Sequence, residues 1–107
     1  MESRNNLYPI FLKAKALHVL IIGGGNVAEE KLHFLLKSSP GAKVTIVSPM
    51  FREGTLALAT SFDVELIHDT YNDSYLKGKH LVIATTDVPG VNVAVCNDCK
   101  ARHILVN

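Results

Sequence analysis

A run of aliphatic residues, Val19-Leu20-Ile21-Ile22, stops abruptly at Gly23-Gly24-Gly25, and a helical pattern opens at Asn26-Val27-Ala28. Val19 to Ile22 is too short and too β-branched for a helix, and it is apolar on both faces. It therefore reads as a buried parallel strand. Gly23, Gly25 and Ala28 occupy the three fixed places of G-x-G-x-x-G/A. The first glycine permits a tight turn, and the second clears a side chain where a pyrophosphate approaches the backbone. The third place needs a small residue for close helix–strand packing. The N–H groups of the new helix and its dipole then favour a phosphate. The pattern implies dinucleotide binding; a ligand-free glycine turn is the bland alternative.

The bulk numbers narrow the class. A chain of 107 residues makes one domain, and its apolar content of 48% supplies a core. A net charge of +1 gives no field to hold nucleic acid or an anionic membrane. No apolar run reaches the length of a membrane span, and no signal-peptide pattern opens the chain. Two cysteines fit a reducing cytoplasm better than a disulfide scaffold.

Strand and helix patterns alternate along the chain. Met1 to Asn6 is expected to fray. Leu7 to Leu12 is apolar but contains Pro9, and is expected to lie against the domain as a lead-in over a sheet edge. Asn26 to Lys37 is the first helix, with Ala28, Leu32, Leu35 and Leu36 facing the sheet and Glu29 and Glu30 pointing to solvent. Lys43 to Val47 is the second strand. A helix over Phe51 to Ser61 follows, with Leu56, Leu58 and Ala59 apolar, and then a third strand over Val64 to His68. Asp69 to Lys79 is polar and turn-rich, with Tyr71, Tyr75 and Leu76 as anchors. Leu81 to Ala84 is the fourth strand. The last helix starts at Pro89-Gly90 and runs to about Arg102, with Val91, Ala94, Val95 and Cys99 apolar; Ile104-Leu105-Val106 begins a fifth strand. Short connections and right-handed crossovers make this an α/β, Rossmann-like, doubly wound parallel sheet of order 3-2-1-4-5. The chain stops just after that strand begins, so a C-terminally truncated domain is expected.

Two places at the carboxyl ends of strands matter for a ligand. An acidic residue often ends the second strand and binds ribose. Here Ser48-Pro49-Met50 stands instead, so ribose contacts fall to Ser48 or to the backbone of Pro49 and Met50. Arg52 either meets a 2′-phosphate or is a solvated surface residue. Thr85-Thr86-Asp87 follows the fourth strand at the crevice where open α/β sheets bind ligands. Asp87 either accepts or positions a proton, or caps the turn before Pro89.

With these stretches read, the chain resembles the NAD-dependent precorrin-2 dehydrogenase domain of siroheme synthases. The likeness rests on Tyr8-Pro9-Ile10-Phe11-Leu12, Gly23 through Lys31, Val47-Ser48-Pro49, Leu81 through Asp87 and Ile104 to Asn107. The resemblance implies oxidation of precorrin-2 to sirohydrochlorin with NAD⁺ as hydride acceptor, with Fe²⁺ insertion in some members. It implies cofactor contacts at Asn26, Val27, Pro49, Met50, Thr85, Thr86 and Asp87. It also places an aspartate implicated in the chemistry beyond Asn107, together with a dimerisation segment and a helical region that complete the tetrapyrrole cleft. No catalytic residue is assigned within the chain except Asp87 as a weak candidate; a cytoplasmic homodimer is expected of the full-length protein. In the chemistry so implied, the nicotinamide carries the hydride and the protein aims it.

Cys96-Asn97-Asp98-Cys99 and His103 have metal-ligand types and helical spacing along a stripe with Asn92. No convincing fourth ligand lies near, and a redox pair would open a helix rather than close one. The bland reading puts Cys99 in the core and Cys96 half-buried, with no metal site. His18, His33, His68 and His80 read as scattered structural or surface residues, His18 and His80 at the sheet end away from the crevice. The rival function is a non-catalytic nucleotide-sensing regulatory module. Such modules usually keep the acid after the second strand, a repressor would need a basic segment, and a methyltransferase would prefer an acid ahead of the glycines.

Overall fold

The strand ahead of the glycines is the centre of the molecule. In a computed structural model that describes residues 10–107, β1 (His18–Ile22) lies between β2 (Lys43–Ser48) and β4 (Leu81–Ala84). β3 (Val64–His68) pairs with β2 and β5 (Leu105–Val106) with β4, all parallel, so the order is β3-β2-β1-β4-β5 as the alternation of patterns predicts. Val19 to Ile22 are at most 2% exposed. A central strand covered on both sides needs apolar residues at every position, which is why this segment lacks alternation.

Each face of the sheet has its own core. Val19 and Ile21 join Val44 and Ile46 under α1 (Asn26–Ser38), which presents Ala28, Leu32 and Leu36. Leu20 and Ile22 join Val47, Val82, Val95 and Cys99 under α3 (Pro89–Ala101), with Leu76 from a 3-10 turn at Asp73–Leu76. Each such aliphatic side chain stabilises the fold by roughly 1.5–3 kcal/mol relative to exposure. Helices on both faces make the sheet doubly wound.

Several local expectations are corrected. α2 runs over Glu53–Ser61, not from Phe51. Phe51 instead sets its ring edge-on to His68, centroids 4.8 Å apart, and Arg52 caps the helix in an extended conformation. On α2 the buried residue is Thr55, while Leu56 is 43% exposed. A nine-residue helix at the sheet margin buries too narrow a stripe for both. On α3, which ends at Ala101 with Arg102 as its C-cap, about where the pattern predicts, Ala94 is exposed rather than part of the apolar face. Met1 to Asn6 and Leu7 to Pro9 lie outside the described residues, but Ile10, Phe11 and Leu12 do not lie against the domain; all three are exposed, and among the described residues the first to enter the core is Ala14.

Candidate functional site

The three glycines do different work. Gly23 donates its N–H to Val47 C=O at 2.9 Å and has φ +124°, a region closed to most side chains. A Cβ there would stand 2.5 Å from Thr85 Oγ1 and 3.1 Å from its carbonyl carbon. Gly24 is pressed against the Met50 carbonyl oxygen and the Ser48 side chain, so a Cβ would collide with both. Gly25 is the opposite case: its φ is −88° and, beyond the adjoining backbone, no atom lies within 4 Å of the Cβ position. Nothing in the described protein requires glycine at 25. The clearance faces outward at the start of α1.

That helix start is uncapped. Gly25 is the N-cap, no side chain bonds to it, and the first helical bond runs from Glu29 N–H to Gly25 C=O at 3.1 Å. The N–H groups ahead of Glu29 therefore have no intrahelical partner. Asn26 and Val27 are exposed there, whereas Ala28 is wholly buried. Ala28 serves the helix–sheet contact and presents no side chain to a ligand, which fits the third place of the fingerprint.

A cleft of about 250 Å³ opens beside this turn at the carboxyl ends of the strands. Gly23, Gly24, Ser48, Pro49, Thr86 and Asp87 line it, so the structure brings together residues picked from three separate stretches. Ser48 is buried, and its Oγ accepts from Met50 N–H at 3.3 Å, tightening the turn after β2. The Met50 side chain is 77% exposed and lies outside the cleft lining; its carbonyl is the part that meets the glycine turn. Thr85 sits behind Gly23, bonded through its N–H and Oγ1 to Ile22 C=O at 2.9 and 3.0 Å.

Asn92, which the motif reading did not connect with the cleft, holds the turn after β4. Its Nδ2 donates to Thr86 C=O at 2.8 Å, and its Oδ1 accepts from Thr86 N–H at 3.2 Å. Val88 N–H donates to Thr86 Oγ1 at 3.3 Å. Asp87, weighed as the cap of this turn, makes no hydrogen bond among the described residues and is exposed; Thr86 makes the capping contact instead. The spacing of Thr86 and Asn92 across Pro89, one turn into a helix, is the signal that would have found the pair.

The opposite wall was also missed as a wall. Asp69, Thr70 and Tyr71 line the cleft beyond β3. Asp69 accepts from Tyr75 Oη and, at 2.7 Å, from Thr70 N–H. These bonds, with Tyr75 the larger influence, hold its carboxyl below the usual carboxylate range. Tyr71 Oη donates to Asp98 on α3 at 2.7 Å; burial, then the bond to Asp98, raises its pKa far above the usual phenol value. Arg102 reaches Asp73 at 2.9 Å, a second tie between this segment and the end of α3. Adjacency of β3 to β2 in the sheet would have placed the Asp69 turn beside Ser48, since Asp69 N–H donates to Ser48 C=O at 3.2 Å.

Two surface expectations change. Glu29 does not simply point to solvent: it takes the Arg52 Nε at 2.8 Å, and its carboxylate rests against Gly54 at the start of α2. Arg52 is thus held by a carboxylate rather than solvated alone. His18 and His80 do stand at the sheet end opposite the cleft, but together. His80 Nδ1 accepts from His18 N–H at 2.9 Å, and His18 Nε2 meets Thr45 Oγ1 at 2.9 Å. His103 leaves the stripe of Asn92, Cys96 and Cys99 because the chain turns left-handed there, φ 57°, so that Ile104 N–H can bond Cys99 C=O at 2.9 Å. Cys99 is buried and Cys96 partly so, both as free thiols. Among the described residues no group of three or more His, Cys, Asp or Glu could hold a metal ion, and no helix is long and apolar enough to cross a membrane.

A parallel sheet of order 3-2-1-4-5, a glycine turn with an outward clearance and an uncapped helix start define a Rossmann-type nucleotide-binding domain. The chain matches, over residues 10–107, the family model described as "Putative NAD(P)-binding", and it belongs to that family. It is 41% identical over 99 residues to a siroheme synthase of Pseudoalteromonas translucida, covering 92% of this chain and 20% of that protein. It is 40% identical over 102 residues to a siroheme synthase of Psychrobacter sp., covering 95% and 20%. The chain thus spans about a fifth of the length of the curated relatives it matches. The solved structure of SirC, a precorrin-2 dehydrogenase, superposes with a TM-score of 0.80 over 94% of this chain and 48% of that one, at 24% identity, a likeness of fold.

Proposed function

We propose that the chain binds NAD⁺ in the cleft at the glycine turn and forms the cofactor-binding part of a precorrin-2 dehydrogenase of siroheme synthesis. The observation that carries this reading is the clearance at Gly25. The Cβ positions of Gly23 and Gly24 are closed by protein atoms; that of Gly25 is open, and the space it leaves ahead of the α1 amides is where a diphosphate fits. The siroheme synthase relatives and the SirC fold supply the reaction class.

In this reading Gly25, Asn26 and Val27 offer backbone N–H groups to the diphosphate, aided by the α1 dipole. Gly23, Gly24 and Ala28 shape that turn. Ser48, Pro49 and the Met50 backbone receive the adenosine side. Thr85 and Thr86 hold the turn over the central strands, which Asn92 braces, and Asp87 faces the cleft as an exposed carboxylate able to position a polar group or accept a proton. NAD⁺ bound there supplies a hydride acceptor for the conversion of precorrin-2 to sirohydrochlorin, which releases one hydride and one proton. The rest of the substrate cleft and the assembly, a homodimer in the cytoplasm, belong to the full-length protein.

Isothermal titration of the chain with NAD⁺ tests the cofactor site. Saturable one-to-one binding that ADP-ribose competes away is expected. Absence of binding, in this chain and in the full-length protein, refutes the reading. For the reaction, the full-length protein is expected to reduce NAD⁺ when given precorrin-2.

A further inference from the structure

A second hollow, of about 320 Å³, lies at the amino ends of the strands, opposite the cleft. Lys15 from a 3-10 turn at Ala14–Ala16, His18 at the start of β1, Lys43 at the start of β2 and His80 just ahead of β4 line it. The lining contains no carboxylate. We propose that this hollow binds a small tetrahedral oxyanion of the phosphate class, held by Lys15, Lys43 and the two imidazoles. The proposal is independent of the dinucleotide reading. The five residues of β1, at about 3.3 Å each, put roughly 15 Å between the two places.

The two rings are held in place. His80 N–H donates to His18 C=O at 2.9 Å, and His18 N–H donates to His80 Nδ1 at 2.9 Å. With Nδ1 accepting, the neutral His80 ring carries its proton on Nε2 and has a donor to offer. His18 Nε2 lies 2.9 Å from Thr45 Oγ1, and the Thr45 hydroxyl donates to Glu65 Oε1 at 3.4 Å. Thr45 therefore accepts from His18 Nε2–H, which leaves His18 Nδ1 without a partner among the described residues. Thr45 is 2% exposed, so this chain of bonds ties the His18 ring to the sheet.

The charge around the rings points the same way. Lys79, Lys43 and His80 face His18, and Glu65 is the carboxylate that opposes them. Burial, then Lys79 and Lys43, hold the His18 pKa below its ordinary value, so at pH 7 the ring is neutral. An oxyanion in the hollow gives the lysines a counter-charge and makes His18 easier to protonate. A protonated His18 then donates from Nδ1 as well, and every basic side chain of the lining presents N–H groups to a ligand that only accepts. Anion binding and proton uptake are thus linked. Affinity rises as pH falls through the ordinary imidazole value of about 6.5.

The test is a titration of the isotope-labelled chain with sodium sulfate, against sodium chloride at matched ionic strength, followed by amide and imidazole NMR shifts. Sulfate stays a dianion throughout, so its pH dependence reports on the protein. Saturable shifts at His18, Gly78 and His80 are expected, with a Kd in the millimolar range that tightens severalfold from about pH 7.5 to about pH 5.5. Lys15→Gln/Lys43→Gln is expected to weaken binding by about tenfold with NAD⁺ affinity unchanged. Both lysines are exposed, so the double variant keeps its fold. Inorganic phosphate and phenyl phosphate distinguish the sources: tighter binding of the ester marks a phosphoryl group on a larger molecule, and tighter binding of phosphate marks the free ion. Shifts confined to the Gly25 to Val27 amides, the same affinity at both pH values, or binding unchanged in the double variant overturns the proposal.

Discussion

Replacing each glycine of the turn by alanine separates what the fold requires from what a ligand requires. Gly25→Ala puts a methyl group into open space at φ −88°, an ordinary backbone conformation. Alanine is a poorer N-cap than glycine by a fraction of a kcal/mol, and the lost freedom of the unfolded chain returns about 0.4–1 kcal/mol. Stability is therefore expected to change by less than about 1 kcal/mol, a shift of no more than about 8 °C in Tm at this chain length. The same methyl group stands where a diphosphate must approach the α1 amides. Losing two hydrogen bonds to a charged group, at about 1.5–3 kcal/mol each, is roughly 3–6 kcal/mol. That converts to about a 10²- to 10⁴-fold weaker Kd.

Gly23→Ala inverts the pattern. Here φ is +124° and the new atom lies 2.5 Å from Thr85 Oγ1, with the Thr85 and Thr86 backbone close behind. Backbone strain of about 1–3 kcal/mol adds to overpacking of about 1–3 kcal/mol. A loss of roughly 2–6 kcal/mol lowers Tm by about 10 °C or more in a domain of this size. Circular dichroism melts give the stability arm and calorimetric titration with NAD⁺ gives the binding arm. If Gly25→Ala binds NAD⁺ within threefold of wild type, the clearance has no ligand. If it melts as early as Gly23→Ala, the division of roles among the glycines is wrong.

Three further outcomes follow from contacts away from the turn. Asn92→Ala removes the groups that satisfy Thr86 N–H and C=O; a loss of about 1–3 kcal/mol is expected, with weaker NAD⁺ binding, and an unchanged Kd at full stability would show that the Asn92 brace is irrelevant to the site. His18 has its pKa lowered, chiefly by burial and then by Lys79 and Lys43, with Glu65 opposing. The unfolded chain then binds more protons below its ordinary value of about 6.5, so stability falls as pH drops through that window. Denaturant midpoints at pH 7.5 and 5.5 should fall less for His18→Gln, and an equal fall rejects the assignment. Of the two thiols, Cys99 is wholly buried, and burial raises its pKa, while Cys96 is partly exposed. A disulfide reagent should label Cys96 in the native protein and both only in denaturant; prompt native labelling of Cys99 contradicts its place in the core.

The fold was legible because periodicity encodes it directly. Val19 to Ile22 and Leu81 to Ala84 are apolar without alternation, which only a doubly covered strand requires, and both are interior strands. The core face of α1 followed from spacing for the same reason. α2 was read less well because its pattern is weak: a short helix at the sheet margin buried Thr55 where spacing favoured Leu56. Half of the cleft was legible, since the turns after β1, β2 and β4 carry recognisable residues. The wall after β3 was not. Asp69 and Tyr71 gain their roles from partners six and twenty-seven positions away, Tyr75 and Asp98, and no local pattern announces such pairs.

The same limit explains how Glu29 and Arg52 escaped a local reading. Each is ordinary in sequence: an acid in the first turn of a helix, a base in a loop. Their meaning comes from the crossover that returns β2 beside β1, so that the loop after β2 falls across the start of α1. Gly24 belongs to this junction as well, because it lets the Met50 carbonyl close down on the turn and so brings Arg52 within reach of Glu29. A bulkier residue at 24 would lift the β2 loop, separate the pair and disturb the diphosphate turn together. The backbone approach that shapes the phosphate turn and the ion pair that occupies the cation beside it are consequences of one packing contact, which ties the geometry of the site to its charge.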